Sequence, residues 1–177
     1  MRLPGESDTR LLLVGVAAFA ALVVYLAVAF VNTHASVSIA NKVAPWTPYG
    51  SKLTPIPLKR KGKYVVRVSP TDTGSYGALI PTLIPAPTPG IKYAIGLQLK
   101  GARAGRLGIQ VHLFRGGLPS RYLTNTLVPI TTKWHRLSFG GQIEGSWVGL
   151  SLYVYSPARR AVGSWFAIRD LKVKLRG

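Results

Sequence analysis

Tyr93-Ala94-Ile95-Gly96-Leu97-Gln98-Leu99 and Leu107-Gly108-Ile109-Gln110-Val111-His112-Leu113 decide the fold. In each stretch an apolar residue alternates with a small or polar one. Successive side chains of an extended chain point to opposite faces, so period two with one apolar face predicts a half-buried β-strand. The Gly- and Ala-rich connection Lys100–Arg106 joins the two as a hairpin.

The same signal continues on both sides. Tyr64-Val65-Val66-Arg67-Val68 is β-branched and bounded by Gly62 and Pro70. Ser75–Ile84 is weaker, because Pro81 lacks an N–H and confines the segment to an edge or a strand end. Pro85, Pro87, Pro89 and Gly90 mark a loop. Tyr122–Ile130 forms a further strand, as does Lys133–Phe139, with His135, Leu137 and Phe139 opposite Trp134. In Trp147–Tyr155 a core row of Val148, Leu150, Leu152 and Val154 opposes Trp147, Ser151, Tyr153 and Tyr155. Phe166 and Ile168 are in phase, and Leu171, Val173 and Leu175 are out of phase with them. One residue of slip at Arg169-Asp170 predicts a bulge or a change of face. No segment beyond residue 31 has helical periodicity. The expected fold is all-β, a sandwich of two antiparallel sheets with about eight or nine strands.

Leu11–Val31 is different in kind: it carries no charge and is apolar all round. At helical rise it spans about 30 Å, the hydrocarbon thickness of a bilayer. It is longer than the apolar region of a cleaved signal peptide. One transmembrane helix is expected, retained as an anchor. Arg2 and Arg10 precede it, and Lys42 is the sole basic residue between it and Lys52, so the positive-inside rule places the N-terminus in the cytoplasm. The organisation expected is a tail at 1–10, the helix at 11–31, a Pro-containing linker with a first strand at 32–58, and the sandwich at 59–177 or from 44. The protein is then a single-pass protein of the cell membrane, its sandwich periplasmic or at the cell surface.

The formal net charge is +18, and beyond the anchor the acidic residues are Asp72, Glu144 and Asp170 alone. Such a field attracts anionic surfaces. Lys59, Arg60, Lys61 and Lys63, with Arg159 and Arg160, are candidate contacts to acidic lipid, glycan or protein. Nucleic acid is disfavoured by the orientation. Paired carboxylates, a cysteine nucleophile and a Gly-x-Ser-x-Gly elbow are missing from the sequence, so it does not look like that of an enzyme. His112 and His135 have no metal-pair spacing and are expected to be ordinary strand histidines. Glycan binding needs aromatic rings that stack on sugars, with polar groups beside them. Trp147, Tyr153 and Tyr155 supply such a face, and Arg121, Tyr122 and Tyr76 are placed to join it. Trp134 and Trp165 are expected in core or edge packing.

Four segments resemble those of jelly-roll carbohydrate-binding modules of the group around families 4 and 9. They are Gly62–Val68, Thr88-Pro89-Gly90-Ile91-Lys92-Tyr93, Thr131-Thr132-Lys133-Trp134-His135-Arg136-Leu137 and Phe166–Val173, in the family's order. The resemblance implies a galactose-binding-like jelly roll that takes glycans on a concave sheet or its rim loops. Many such modules hold a structural calcium. Here Arg169 stands where the first acidic residue of the closing motif is expected, so no metal or other cofactor is expected unless Asp170 retains a vestige of the site. Two functions follow. The chain is a non-catalytic, membrane-anchored module for glycan or another anionic surface, or it is a structural accessory subunit of a membrane complex with acidic partner subunits.

Overall fold

The computed structural model describes residues 36–37, 46–58, 64–115, 118–158 and 163–177. The segment 11–31 and the clusters Lys59–Lys63 and Arg159-Arg160 lie outside the described residues. Eleven strands are present among the described residues: β1 (Ser36–Val37), β2 (Thr47–Tyr49), β3 (Ser51–Pro57), β4 (Tyr64–Pro70), β5 (Tyr76–Pro85), β6 (Lys92–Gly101), β7 (Gly105–Arg115), β8 (Leu118–Ile130), β9 (His135–Gln142), β10 (Gly149–Ser156) and β11 (Phe166–Arg176). They form two sheets. The front sheet runs β2-β5-β10-β7-β8, and the back sheet runs β3-β4-β11-β6-β9 with β1 also on β11. Every strand pairing is antiparallel.

One apolar layer fills the space between the sheets. Ile95, Leu97 and Leu99 enter it from β6, and Leu107, Ile109, Val111 and Leu113 enter it from β7, all essentially inaccessible to water. Tyr76 of β5 and Phe166 of β11 meet inside it, with ring centroids 5.6 Å apart. Burying such side chains is the main favourable term in folding.

The strands exceed eight or nine because Trp46–Leu58 contributes two of its own. β2 carries Pro48 at the edge of the front sheet, and β3 carries Pro55 and Pro57 at the edge of the back sheet. Edge strands tolerate the missing N–H of proline, which makes a proline-rich strand look like a linker. Pro81 shows the converse. β5 is interior to the front sheet, but β2 reaches only Gly77–Leu79 and the register with β10 breaks between Ile80 and Ile84. The proline falls in that irregularity and interrupts no ladder.

Two further expectations change. Val148 is 55% exposed, and β10 begins only at Gly149, so the core row is Leu150, Leu152 and Val154. Trp134 and Trp165 lie on the outer face of the back sheet beneath cationic side chains, and not in the core. The slip in β11 is a bulge, as its phase change indicates. Pairing with β6 is irregular between Arg169 and Lys172, and Asp170 has φ +54°. Short polar side chains such as aspartate tolerate this left-handed conformation better than most. After the bulge Leu171, Val173 and Leu175 are buried, and Lys172, Lys174 and Arg176 are exposed.

These faces can be tested as a pair. Leu152→Ala should cost about 2–5 kcal/mol of unfolding free energy in urea denaturation. Val148→Ala should stay within about 0.5 kcal/mol of wild type. Equal losses would contradict the register.

Candidate glycan-binding face

The outward side of the front sheet is built in rows. Tyr49, Gly77, Tyr155, Gly108 and Leu127 are consecutive cross-strand partners from β2 to β8. The adjacent row is Thr47, Leu79, Tyr153, Gln110 and Asn125. The next holds Ser151, His112 and Tyr122. Among the described residues these three rows carry two tyrosines at their centre and one on each edge strand, with amides and hydroxyls, but no carboxylate and no Lys or Arg.

The Tyr153 and Tyr155 rings stack at 4.9 Å with planes 13° apart. Tyr49 meets Tyr153 edge-on at 5.6 Å and 81°. Offset-stacked and T-shaped pairs are the favoured aromatic geometries. Two glycines allow the tyrosines to lie down on the sheet. A Cβ at Gly108 would collide with the Tyr155 ring, and one at Gly77 would come within 2.7 Å of the Tyr153 ring. The buried Ser51 hydroxyl donates to the Gly77 carbonyl at 2.6 Å and fixes that floor. Burial first, and then the Tyr49 and Tyr155 phenols, push the Tyr153 phenol far above the ordinary tyrosine range. It stays a neutral hydrogen-bond donor at any physiological pH.

Polar groups flank the platform. The Gln110 amide donates to Asn125 Oδ1 at 3.3 Å. His112 Nε2 lies 2.9 Å from Ser151 Oγ, and that hydroxyl also lies 3.3 Å from the His112 carbonyl. With the hydroxyl donating to the carbonyl, Nε2–H donates to the hydroxyl. Nδ1 is then the unprotonated nitrogen, and it is buried without a partner. Burial holds the imidazole below the usual histidine range. Tyr122 stands edge-on to His112 at 5.6 Å and is 56% exposed.

The structure brings Tyr153, Tyr155 and Tyr122 onto this face and separates the other sequence candidates from it. Tyr76 is fully buried between the sheets, and burial raises its phenol pKa. Trp147 sits in the β9–β10 loop, with the Arg115 guanidinium 4.5 Å from its ring centroid and its indole N–H donating to the Glu144 carbonyl at 2.6 Å. Arg121 pairs with Glu144 at 3.3 Å, well exposed. These residues form a charged patch at one end, beyond the uncharged rows. His135 belongs to the back sheet and lies 2.7 Å from Thr131 Oγ1, apart from His112. Asp170 accepts from Gln98 Nε2 at 2.9 Å, with Arg169 Nε at 3.7 Å. Among the described residues no group of three His, Cys, Asp or Glu side chains could hold a metal ion. Tyr49, Gln110 and Asn125 were not anticipated. The available signal was glycine at Gly77 and Gly108, outward strand positions where a close approach is needed.

No family model and no curated protein matches the chain. Solved structures do. The CBM22-1 xylan-binding domain from Paenibacillus barcinonensis Xyn10C superposes with TM-score 0.58 at 16% identity, over 81% of this chain and 94% of that one. A CBM4 structure superposes with TM-score 0.56 at 13% identity, over 76% and 96%. The sandwich has the fold of carbohydrate-binding modules. In larger proteins it matches only a part. The chain covers 28% of Clostridium thermocellum Xyn10B CBM22-1-GH10 modules complexed with xylohexaose, at TM-score 0.58 and 15% identity. It covers 26% of an arabinose-bound GH51 α-L-arabinofuranosidase, at TM-score 0.58 and 17% identity.

His112 gives a pH test. Its folded pKa lies below the unfolded value of 6.5, so the unfolded chain binds the extra proton. The stability linked to this group is complete above pH 6.5 and declines as pH falls below it. The Tm of wild type should drop on mild acidification more steeply than that of His112→Gln. Parallel slopes would place the acid sensitivity elsewhere.

Proposed function

We propose that the chain is a non-catalytic glycan-binding module, held to the cell membrane by a single N-terminal helix over 11–31, with the sandwich outside the cytoplasm. The observation that carries the binding reading is the platform of Tyr49, Tyr153 and Tyr155, seated on Gly77 and Gly108. Such rings present apolar surface to the C–H faces of a sugar, and the neighbouring Gln110, Asn125 and Tyr122 offer partners for hydroxyls. The fold shared with carbohydrate-binding modules supports the same reading.

The absence of charge from the three central rows selects the ligand class. An acidic sugar is favoured by a cation within reach of its acid group, and the platform's three rows hold none among the described residues. A neutral, linear polysaccharide fits it better than a uronate or sulfated chain. The carboxylates lie elsewhere. Asp72 accepts from the Gly74 N–H in a turn, Glu144 pairs with Arg121, and Asp170 occupies the β11 bulge on the back sheet. No two of them flank the platform as glycoside hydrolysis would need.

Affinity electrophoresis of the full chain in mild detergent, through gels containing neutral polysaccharides such as xylan, should show retention that salt does not relieve. Tyr155→Ala should weaken it about tenfold or more, equivalent to ~1.4 kcal/mol. Gly108→Ala should weaken it similarly by tilting the same ring. Free migration in every neutral gel would defeat the reading, as would retention that Tyr155→Ala leaves intact.

A further inference from the structure

The back sheet presents a face of opposite character. Its outward side holds an open trough of about 520 Å³, floored by Ala94 and Gly96 and bordered by Arg136, Lys172, Lys174 and Arg176. A second depression of about 350 Å³ also lies on this face, walled by Ile56, Leu58 and Val65 beside Trp134 and Trp165. Its indoles are shared among cations. Arg67 is 4.8 Å and Lys100 5.5 Å from the Trp165 centroid, and Lys100 is 5.0 Å and Arg169 4.1 Å from that of Trp134. Arg67 Nε is buried there without a hydrogen-bond acceptor. Among the described residues, Asp170 is the one carboxylate that lines either depression.

We propose that this face docks on the anionic headgroups of the membrane that holds the chain, which turns the tyrosine platform away from the bilayer. The inference rests on the anchor reading. β1 pairs with β11, Ser36 opposite Lys174. From Val31, the last residue of the apolar segment, to Ser36 the chain can reach no more than about 18 Å. The anchor therefore delivers the sandwich by its back sheet, beside the row Lys172, Lys174 and Arg176. Tryptophan, cations and an exposed aliphatic edge, here Ile56 at 41%, are the composition that suits a headgroup interface. An acidic polysaccharide is the poorer occupant. The cations extend across the sheet from β4 to β9, well beyond the one trough, and each indole that could stack on a sugar is already engaged by two cations.

The chain contains no cysteine, so single labels are unambiguous. Ser138→Cys marks the exposed back face and Asn125→Cys the exposed front face. Each full-length variant is labelled with a donor fluorophore. It is then reconstituted in nanodiscs whose headgroups carry an acceptor, either of phosphatidylcholine alone or of phosphatidylcholine with phosphatidylglycerol. Docking predicts severalfold stronger quenching at Ser138 than at Asn125 in the anionic discs. High salt should abolish the difference, as should the triple variant Lys172→Glu, Lys174→Glu, Arg176→Glu, whose thermal melt serves as the folding control. Equal quenching at the two sites, or the same pattern in neutral discs, overturns the proposal. If polygalacturonate shields the Ser138 label in neutral discs and phosphatidylglycerol does nothing, the face binds acidic polymer and the proposal falls. A chain that fails to enter nanodiscs sinks the anchor reading alone. Docking is then decided by flotation with preformed phosphatidylglycerol vesicles, where no co-flotation overturns it.

Discussion

Burial of a single apolar layer between the two sheets constrains every other property of the sandwich. Because side chains alternate, a strand that gives one face to that layer has only its other face to offer. Leu150, Leu152 and Val154 occupy the core side of β10, which leaves Ser151, Tyr153 and Tyr155 outside. Leu171, Val173 and Leu175 occupy the core side of β11, which leaves Lys172, Lys174 and Arg176 outside. The two exteriors can diverge in chemistry without disturbing the interior, and they do. One centre is aromatic and uncharged, and the other is cationic.

Divergence of this kind explains how a chain of net charge +18 can carry a neutral platform. Total charge describes long-range attraction, but a local site is set by the row that faces it. Arg121 and Arg115 border the platform, and both are committed, to Glu144 and to Trp147 with the Ser146 carbonyl. The glycine floor matters as much as the rings. With any larger residue at Gly108, the Tyr155 ring would have to stand up from the sheet, and the flat surface would be lost.

Much of the sandwich was legible from period two alone. β6, β7 and the core side of β10 follow directly from alternation, and the phase change at Arg169-Asp170 announced the β11 bulge. Where the signal failed, a second effect had overridden alternation. β2 and β3 are proline-bearing edges, whose missing N–H groups face no partner and so escape the usual penalty. Val148 is apolar and in phase with Leu150, but β10 starts one residue later, and phase says nothing about where pairing begins. Tyr153, Tyr155 and Tyr122 were visible as an outward set. Tyr49 was not, because its place beside them depends on β2 reaching across Gly77, a contact distant in sequence. Tyr76 was misplaced for the opposite reason. Its phase was the signal that went unused: Tyr76 is in phase with Ala78 and Ile80 on the core side of β5, where it meets the Phe166 ring.

The β11 bulge has a consequence for how such a strand can change over time. Its first half pairs with β4 and its second half with β1, and Asp170 stands between the two halves as a spare residue. Losing that one amino acid would turn the strand's C-terminal half inside out, sending three aliphatic side chains into water and three cations toward the interior. The reading frame of the fold is thus guarded at the one bulge in β11, and insertions or deletions in that strand are tolerable only where they restore its parity.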